Sequence, residues 1–214
     1  MQAQLRRAFA RWGRPAALRV DNGQPWAQPR EDLPTELALW LAGLGVAVHY
    51  NPPRQPYRNG VVERSQGVSK AWAEPQTCRS PGELQARLAA MDEVQRAAYP
   101  HTDGRPRLQA YPGLAHSGRP YSAAWERRHW DLRAAREHLA GYAVPRRVRG
   151  GGSISVYERD LVVGGRYAGQ VVYVQFDPVA VAWVAADQRD VQLRRWPAPE
   201  ICRKRIVSLS VCRS

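Results

Sequence analysis

Two acids in this chain stand where chemistry on phosphate would need them. Asp21 closes the apolar run Ala16–Val20 and is followed by Asn22-Gly23. Glu63 lies inside Asn59-Gly60-Val61-Val62-Glu63-Arg64. The first acid reads as the end of a strand, the second as the first turn of a helix. Carboxylates on such elements can share divalent metal. Two Mg²⁺ or Mn²⁺ ions about 4 Å apart activate an attacking oxygen and stabilise a leaving oxygen at phosphorus. On this reading Asp21 serves one ion and Glu63 the other. An isolated Asp-Asn-Gly is otherwise a turn, and an isolated Glu in a first turn is otherwise a favourable contact with the helix dipole.

The elements that must hold these acids follow from hydrophobic spacing. Leu5, Ala8, Phe9 and Trp12 recur at helical intervals, which predicts a helix over Gln2–Trp12, stopped by Gly13-Arg14-Pro15. Ala16–Val20 is a short strand. Leu33, Leu37, Leu41 and Leu44 predict a helix from Leu33 with Pro34 in its first turn. Val46–Tyr50 is a second strand, and a Pro-rich loop leads to the helix of Glu63, ended by Pro75. Pro81–Tyr99 is a further helix with Leu84, Leu88, Met91 and Val94 inward. Residues 100–122 read as an extended linker, and Ala123–Leu139 as one basic helix. After Gly150-Gly151-Gly152 the period changes to that of short strands: Ile154–Tyr157, Leu161–Val163, Gln170–Phe176, Val179–Ala185 and Val191–Leu193. Five short strands separated by turns predict a small barrel.

Charge points to a polyanionic partner. The 214 residues carry a net charge of +13, and all but Lys70 and Lys204 of the basic residues are arginine. Guanidinium forks suit phosphate, although a GC-rich gene produces the same skew. The excess is larger in residues 101–214 than in 1–100. Cys78, Cys202 and Cys212 form no CxxC pair, which argues for a reducing cytoplasm and against a zinc knuckle. The five histidines show no ligand spacing. No apolar run has the length of a membrane span, and the N-terminus lacks the apolar region of a signal peptide.

Together the stretches Gly13-Arg14-Pro15, Arg19-Val20-Asp21-Asn22-Gly23, Tyr50-Asn51-Pro52-Pro53 and Tyr57-Arg58-Asn59-Gly60-Val61-Val62-Glu63-Arg64 resemble the integrase core of retroviral integrases and of bacterial insertion-sequence transposases, the DDE recombinases. The resemblance covers residues 5–100. It implies that Asp21 and Glu63 are the second and third catalytic and metal-binding acids. It also implies that Arg58, Asn59, Gln66 and Lys70 lie near a DNA end. The basic segment and predicted barrel are more weakly similar to transposases of the phage Mu type.

The implied architecture is α/β. A partial RNase H-like integrase core over 1–100 is followed by a basic linker and helix over 101–148, a small SH3-like β-barrel over 149–199, and a basic tail over 200–214. Arg127, Arg128, Arg133 and Arg136, then Arg146, Arg147 and Arg149, form the expected phosphate-contact segment. The family's first Asp, on a strand well before the second, has no counterpart before Asp21. The expectation is therefore an N-terminally truncated transposase, inactive alone, whose full parent performs Mg²⁺-dependent DNA cleavage and strand transfer in DNA integration. The expected partners are transposon ends and target DNA, with a homo-oligomer as an open alternative and no membrane or small-molecule substrate. The expected location is the cytoplasm, at the nucleoid. Two competing readings are a non-catalytic nucleic-acid-binding module and an RNA-binding barrel.

Overall fold

The computed structural model describes residues 1–23, 25–26, 32–52, 60–100 and 103–208. The fold is mixed α/β, and the chain divides into two units that interleave in sequence. One comprises Met1–Gln2, Ala16–Tyr50 and Ala124–Ser214; the other comprises Ala3–Pro15 and Asn51–Ala123. Among the described residues no helix is long and apolar enough to cross a membrane.

In the first unit, β1 (Ala17–Val20) and β2 (Ala47–Tyr50) pair in parallel, with Val20 opposite Tyr50. A parallel pair requires a crossover, and α2 (Glu36–Gly43) supplies it. This helix starts later than its leucine spacing predicts. Thr35, not a residue before Pro34, is the N-cap, because its Oγ1 accepts the Ala38 N–H at 3.2 Å. Leu37, Ala38, Leu39, Trp40, Leu41 and Gly43 are all buried, so α2 is apolar all round and runs through the core.

The predicted single basic helix is two. α6 (Ala123–His129) and α7 (Leu132–Ala140) break at Trp130-Asp131. Asp131 caps α7 through the Arg133 N–H at 2.8 Å, while its own N–H donates to the Gly43 carbonyl at 2.9 Å. Trp130 is buried, and its Nε1 donates to the Trp40 carbonyl at 3.0 Å. Trp40 Nε1 in turn donates to the buried Glu126 carboxylate at 2.9 Å. These bonds to α2 override the local preference for continuous helix.

The C-terminal β-region contains a four-stranded antiparallel sheet, in the order β3 (Ala143–Arg147), β6 (Val171–Asp177), β7 (Ala182–Ala186), β8 (Gln192–Pro197). A separate hairpin pairs β4 (Ser153–Val156) with β5 (Arg159–Val162). The buried residues Val144, Val172, Val174, Phe176, Trp183 and Ala185 form the core face of the four-stranded sheet. β3 was missed by sequence spacing because Pro145 and the flanking arginines disguise it. Pro145 is tolerated on a strand at the sheet's edge, where one side of the backbone has no ladder to join. β7 begins at Ala182 rather than at Val179, which is almost fully exposed. The basic residues Arg203-Lys204-Arg205, expected as an unstructured tail, open the short helix α8 (Arg203–Val207), anchored by buried Ile201 and Ile206.

In the second unit, α1 (Gln2–Trp12) ends as predicted at Gly13, whose φ of +78° and N–H to the Phe9 carbonyl close the helix. α3 (Gly60–Ala73) and α4 (Pro81–Ala97) follow. On α4 the inward face carries Met91 and Gln95, and Val94 points outward, 46% exposed. Gln95 lies four positions after Met91 and shares its stripe, whereas Val94 is turned away from it. Residues 103–122 are not an extended linker. They include the short helix α5 (Arg107–Ala110) and dock on the end of α1: Ser117 N–H donates to the Trp12 carbonyl, Arg14 N–H to the Arg119 carbonyl, and Tyr121 packs edge-on against Phe9.

Candidate acidic edge and nucleic-acid interface

Parallel strands present their carboxyl ends at one edge, where ligands of α/β sheets bind. Asp21 follows the last residue of β1 at that edge and is exposed. Its Oδ1 accepts the Gly23 N–H at 3.1 Å, an Asx turn that fixes the carboxyl group as the chain leaves the strand. The loop is pinned further on at Trp26. Tyr50 Oη and Thr35 Oγ1 both donate to its carbonyl, at 3.1 and 3.2 Å. Burial pushes the Tyr50 hydroxyl pKa up, which keeps it protonated as a donor. Sequence reasoning found Asp21 but missed these anchors; the clue was the aromatic pair Trp26 and Tyr50 flanking the helix.

Glu63 sits in the first turn of α3, exposed, in the second unit. Gln66 and Lys70 are exposed three and seven positions later, so the three share one helical face as predicted. Arg58 and Asn59 lie outside the described residues. Among the described residues no three His, Cys, Asp or Glu side chains gather as a metal-ligand group. An exposed strand-end carboxylate suits a hard cation such as Mg²⁺ in kind.

The arginines expected to contact phosphate separate into two sets. Arg127 and Arg128 on α6 are exposed, and their side chains make no hydrogen bond or ion pair with a described residue. Arg133 is 85% exposed and pairs with Glu137 one turn away at 2.6 Å. Such a pair is weak and leaves most of the guanidinium accessible. Arg147 is exposed and donates to the Gly169 carbonyl at 3.1 Å. Arg149 pairs with Asp160 at 2.8 Å on the surface.

The other set is structural. Arg136 donates twice to the Ile201 carbonyl, at 3.0 and 3.3 Å. Arg146 is 20% exposed, pairs with Asp32, and donates to the Ser155 and Pro145 carbonyls. Arg203, expected in the basic tail, instead donates to the Trp130, Glu126 and Arg127 carbonyls, so it satisfies the acceptors at the end of α6. The distinction was not visible in sequence, because the carbonyl partners of Arg136 and Arg203 are dozens of residues away.

A small cavity of about 260 Å³ lies between α2, the start of the parallel strands and His138, lined by Ala38, Ala42, Val46 and Val48 among others. His138 Nε2 is buried there with no hydrogen-bond partner among the described residues, and burial lowers its pKa. No protein-family model matches this chain.

Proposed function

We propose that this chain is a DNA-binding part of a DDE-type recombinase, with β1, α2 and β2 belonging to an RNase H-like core and the C-terminal strands to an SH3-like barrel. The observation that supports this most strongly is the placement of Asp21. It stands at the carboxyl end of a parallel β-α-β unit, within the Asp-Asn-Gly sequence on which the resemblance rests. Bound Mg²⁺ would supply charge neutralisation and an activated oxygen for phosphodiester attack. The resemblance gives metal-binding roles to Asp21 in the first unit and to Glu63 in the second, and among the described residues no group of three candidate ligands surrounds either. The chain alone is therefore proposed to bind DNA without cutting or joining it.

A second reading, a nucleic-acid-binding module with no catalytic role, draws on the exposed guanidinium groups of Arg127, Arg128 and Arg133. Both readings require steeply salt-dependent binding. A strand-cleavage assay with Mg²⁺ and with Mn²⁺ separates inactivity from activity. Cleavage by this chain that disappears in Asp21→Asn would overturn the proposed inactivity. Metal-independent binding that is unchanged by Asp21→Asn favours the module.

A further inference from the structure

The outward face of the four-stranded sheet carries a cluster that neither the acidic edge nor α6 uses. Along β6, Val172, Val174 and Phe176 point inward, and Tyr173 between them is 41% exposed. Its cross-strand neighbours are Pro145 on β3 and Ala186 on β7. Both are short, so neither covers a phenol ring. Arg147 pairs with Val171, one step along the same face, and so stands diagonal to Tyr173 at a separation of about 7–8 Å.

The acid at this end of the sheet, Asp187 after Ala186, is taken up by the N–H groups of Arg189 and Val191. Arg147 donates to the Gly169 carbonyl and to no described carboxylate. Gly169 belongs to the turn that carries Arg166 and Tyr167, in which the Arg166 guanidinium sits 4.7 Å from the centre of the Tyr167 ring. Asp177, the acid on β6, lies at the opposite end of that strand. It is occupied by Arg195 and by the N–H groups of Val179 and Ala180. This end of the sheet therefore offers an open aromatic ring and two guanidinium groups that pair with no described carboxylate.

We propose that this face binds single-stranded nucleic acid, with a base stacked on Tyr173 and flanking phosphates held by Arg147 and Arg166. Only an unpaired base can lay its face on an aromatic side chain. A duplex offers the sheet its backbone alone, and Tyr173 gains nothing from it. The proposal rests on the nucleic-acid reading above and adds a strand preference and a residue that sets it.

The test uses the full chain and two fluorescent probes of equal length, an oligothymidylate and a duplex, read by anisotropy. Tyr173→Leu should weaken oligothymidylate binding about tenfold while changing duplex binding by less than about twofold. Tyr173→Phe should retain both, because it keeps the ring. Arg147→Ala should weaken both. Circular dichroism establishes that each variant is folded, and Tyr173→Thr, which also removes the ring, serves as the second variant should Tyr173→Leu unfold. Equal loss on both probes, or no loss on the oligothymidylate, would overturn the stacking proposal while duplex binding by the parent chain still upholds the broader reading. Failure of the parent chain to bind either probe would overturn both.

Discussion

Trp130 occupies the space that a side chain at Gly43 would need. A Cβ placed on Gly43 would lie 2.7 Å from Trp130 Cζ2, and nearer still to Cε2 and Nε1. Bonds on either side tie the same two segments, since Trp130 Nε1 donates to the Trp40 carbonyl and Asp131 N–H to the Gly43 carbonyl. Gly43 therefore permits the close approach of α2 to the α6–α7 junction. Gly43→Ala should destabilise the chain by about 1–3 kcal/mol through overpacking. Trp130→Ala should cost about 3–5 kcal/mol through the cavity it leaves. Urea titrations give both values, and the double variant should lose less than their sum, because the cavity relieves the clash. Full additivity would show that the two residues do not meet.

The tip of the β4–β5 hairpin is strained in a way that can be relieved. Tyr157 and Glu158 have φ of +44° and +65°, a region that favours glycine. Tyr157 is held there by its hydroxyl, which donates to the Pro34 carbonyl, and by packing against Trp183. Burial, with the nearby Glu36 and Asp32 carboxylates, pushes its pKa well above the usual range, so it remains a donor. Among the described residues Glu158 is anchored by one long, exposed pair with Arg205. Glu158→Gly should raise stability by about 0.5–1 kcal/mol. Tyr157→Phe should lower it by about 1 kcal/mol. Thermal melts in which Glu158→Gly lowers the stability, or Tyr157→Phe leaves it unchanged, would contradict the anchoring described.

His138 gives the chain an acid-sensitive element. Burial alone lowers its pKa, and its Nε2 has no partner among the described residues. The folded state therefore binds the proton less readily than the unfolded state. Its contribution to stability is complete above the ordinary value of 6.5 and declines as the pH drops below it toward the folded value. His138→Leu should remove this decline, so the difference in Tm between variant and parent should shift in the variant's favour from pH 7.5 to pH 5.5. A difference that is constant with pH would show that His138 is solvated.

Much of this was legible in the sequence where one element decides its own structure. The heptad-like spacing of Leu5, Phe9 and Trp12 and the stop at Gly13 placed α1 within its observed bounds. The apolar runs before Asp21 and Asn51 placed both parallel strands. Where partners come from afar, sequence reasoning failed. The break at Trp130 is imposed by α2, the docking of residues 103–122 by backbone bonds to α1, and the order of α8 by the carbonyls and Glu36 that Arg203 and Arg205 reach. The acidic residue at the strand end was readable, and the Trp26 anchor that orients its loop was not. A run of arginines looks uniform in sequence; only carbonyl and carboxylate partners divide it.

The metal assignment has its own test. Mn²⁺ relaxes nearby nuclei even when it binds weakly. Titrating the chain with Mn²⁺ should broaden the amide signals around Asp21 and Glu63 before those around Asp160 or Glu137, which are engaged by Arg149 and Arg133. Broadening of Asp21 should be reduced in Asp21→Asn. Uniform broadening across the acidic residues would remove the case for either carboxylate as a metal ligand.

The central claim is that this chain grips nucleic acid through exposed, unpaired guanidinium groups, and that Arg136 and Arg146 serve the fold instead. The most direct measurement is duplex affinity across a salt series for the parent, for Arg127→Ala combined with Arg128→Ala, and for Arg136→Ala. The account predicts a steep fall of log affinity with log salt in the parent, a slope shallower by about 2 in the double variant, and an unchanged slope with about 1 kcal/mol lower stability in Arg136→Ala. A parent slope near zero, or equal slopes for parent and double variant, would contradict it.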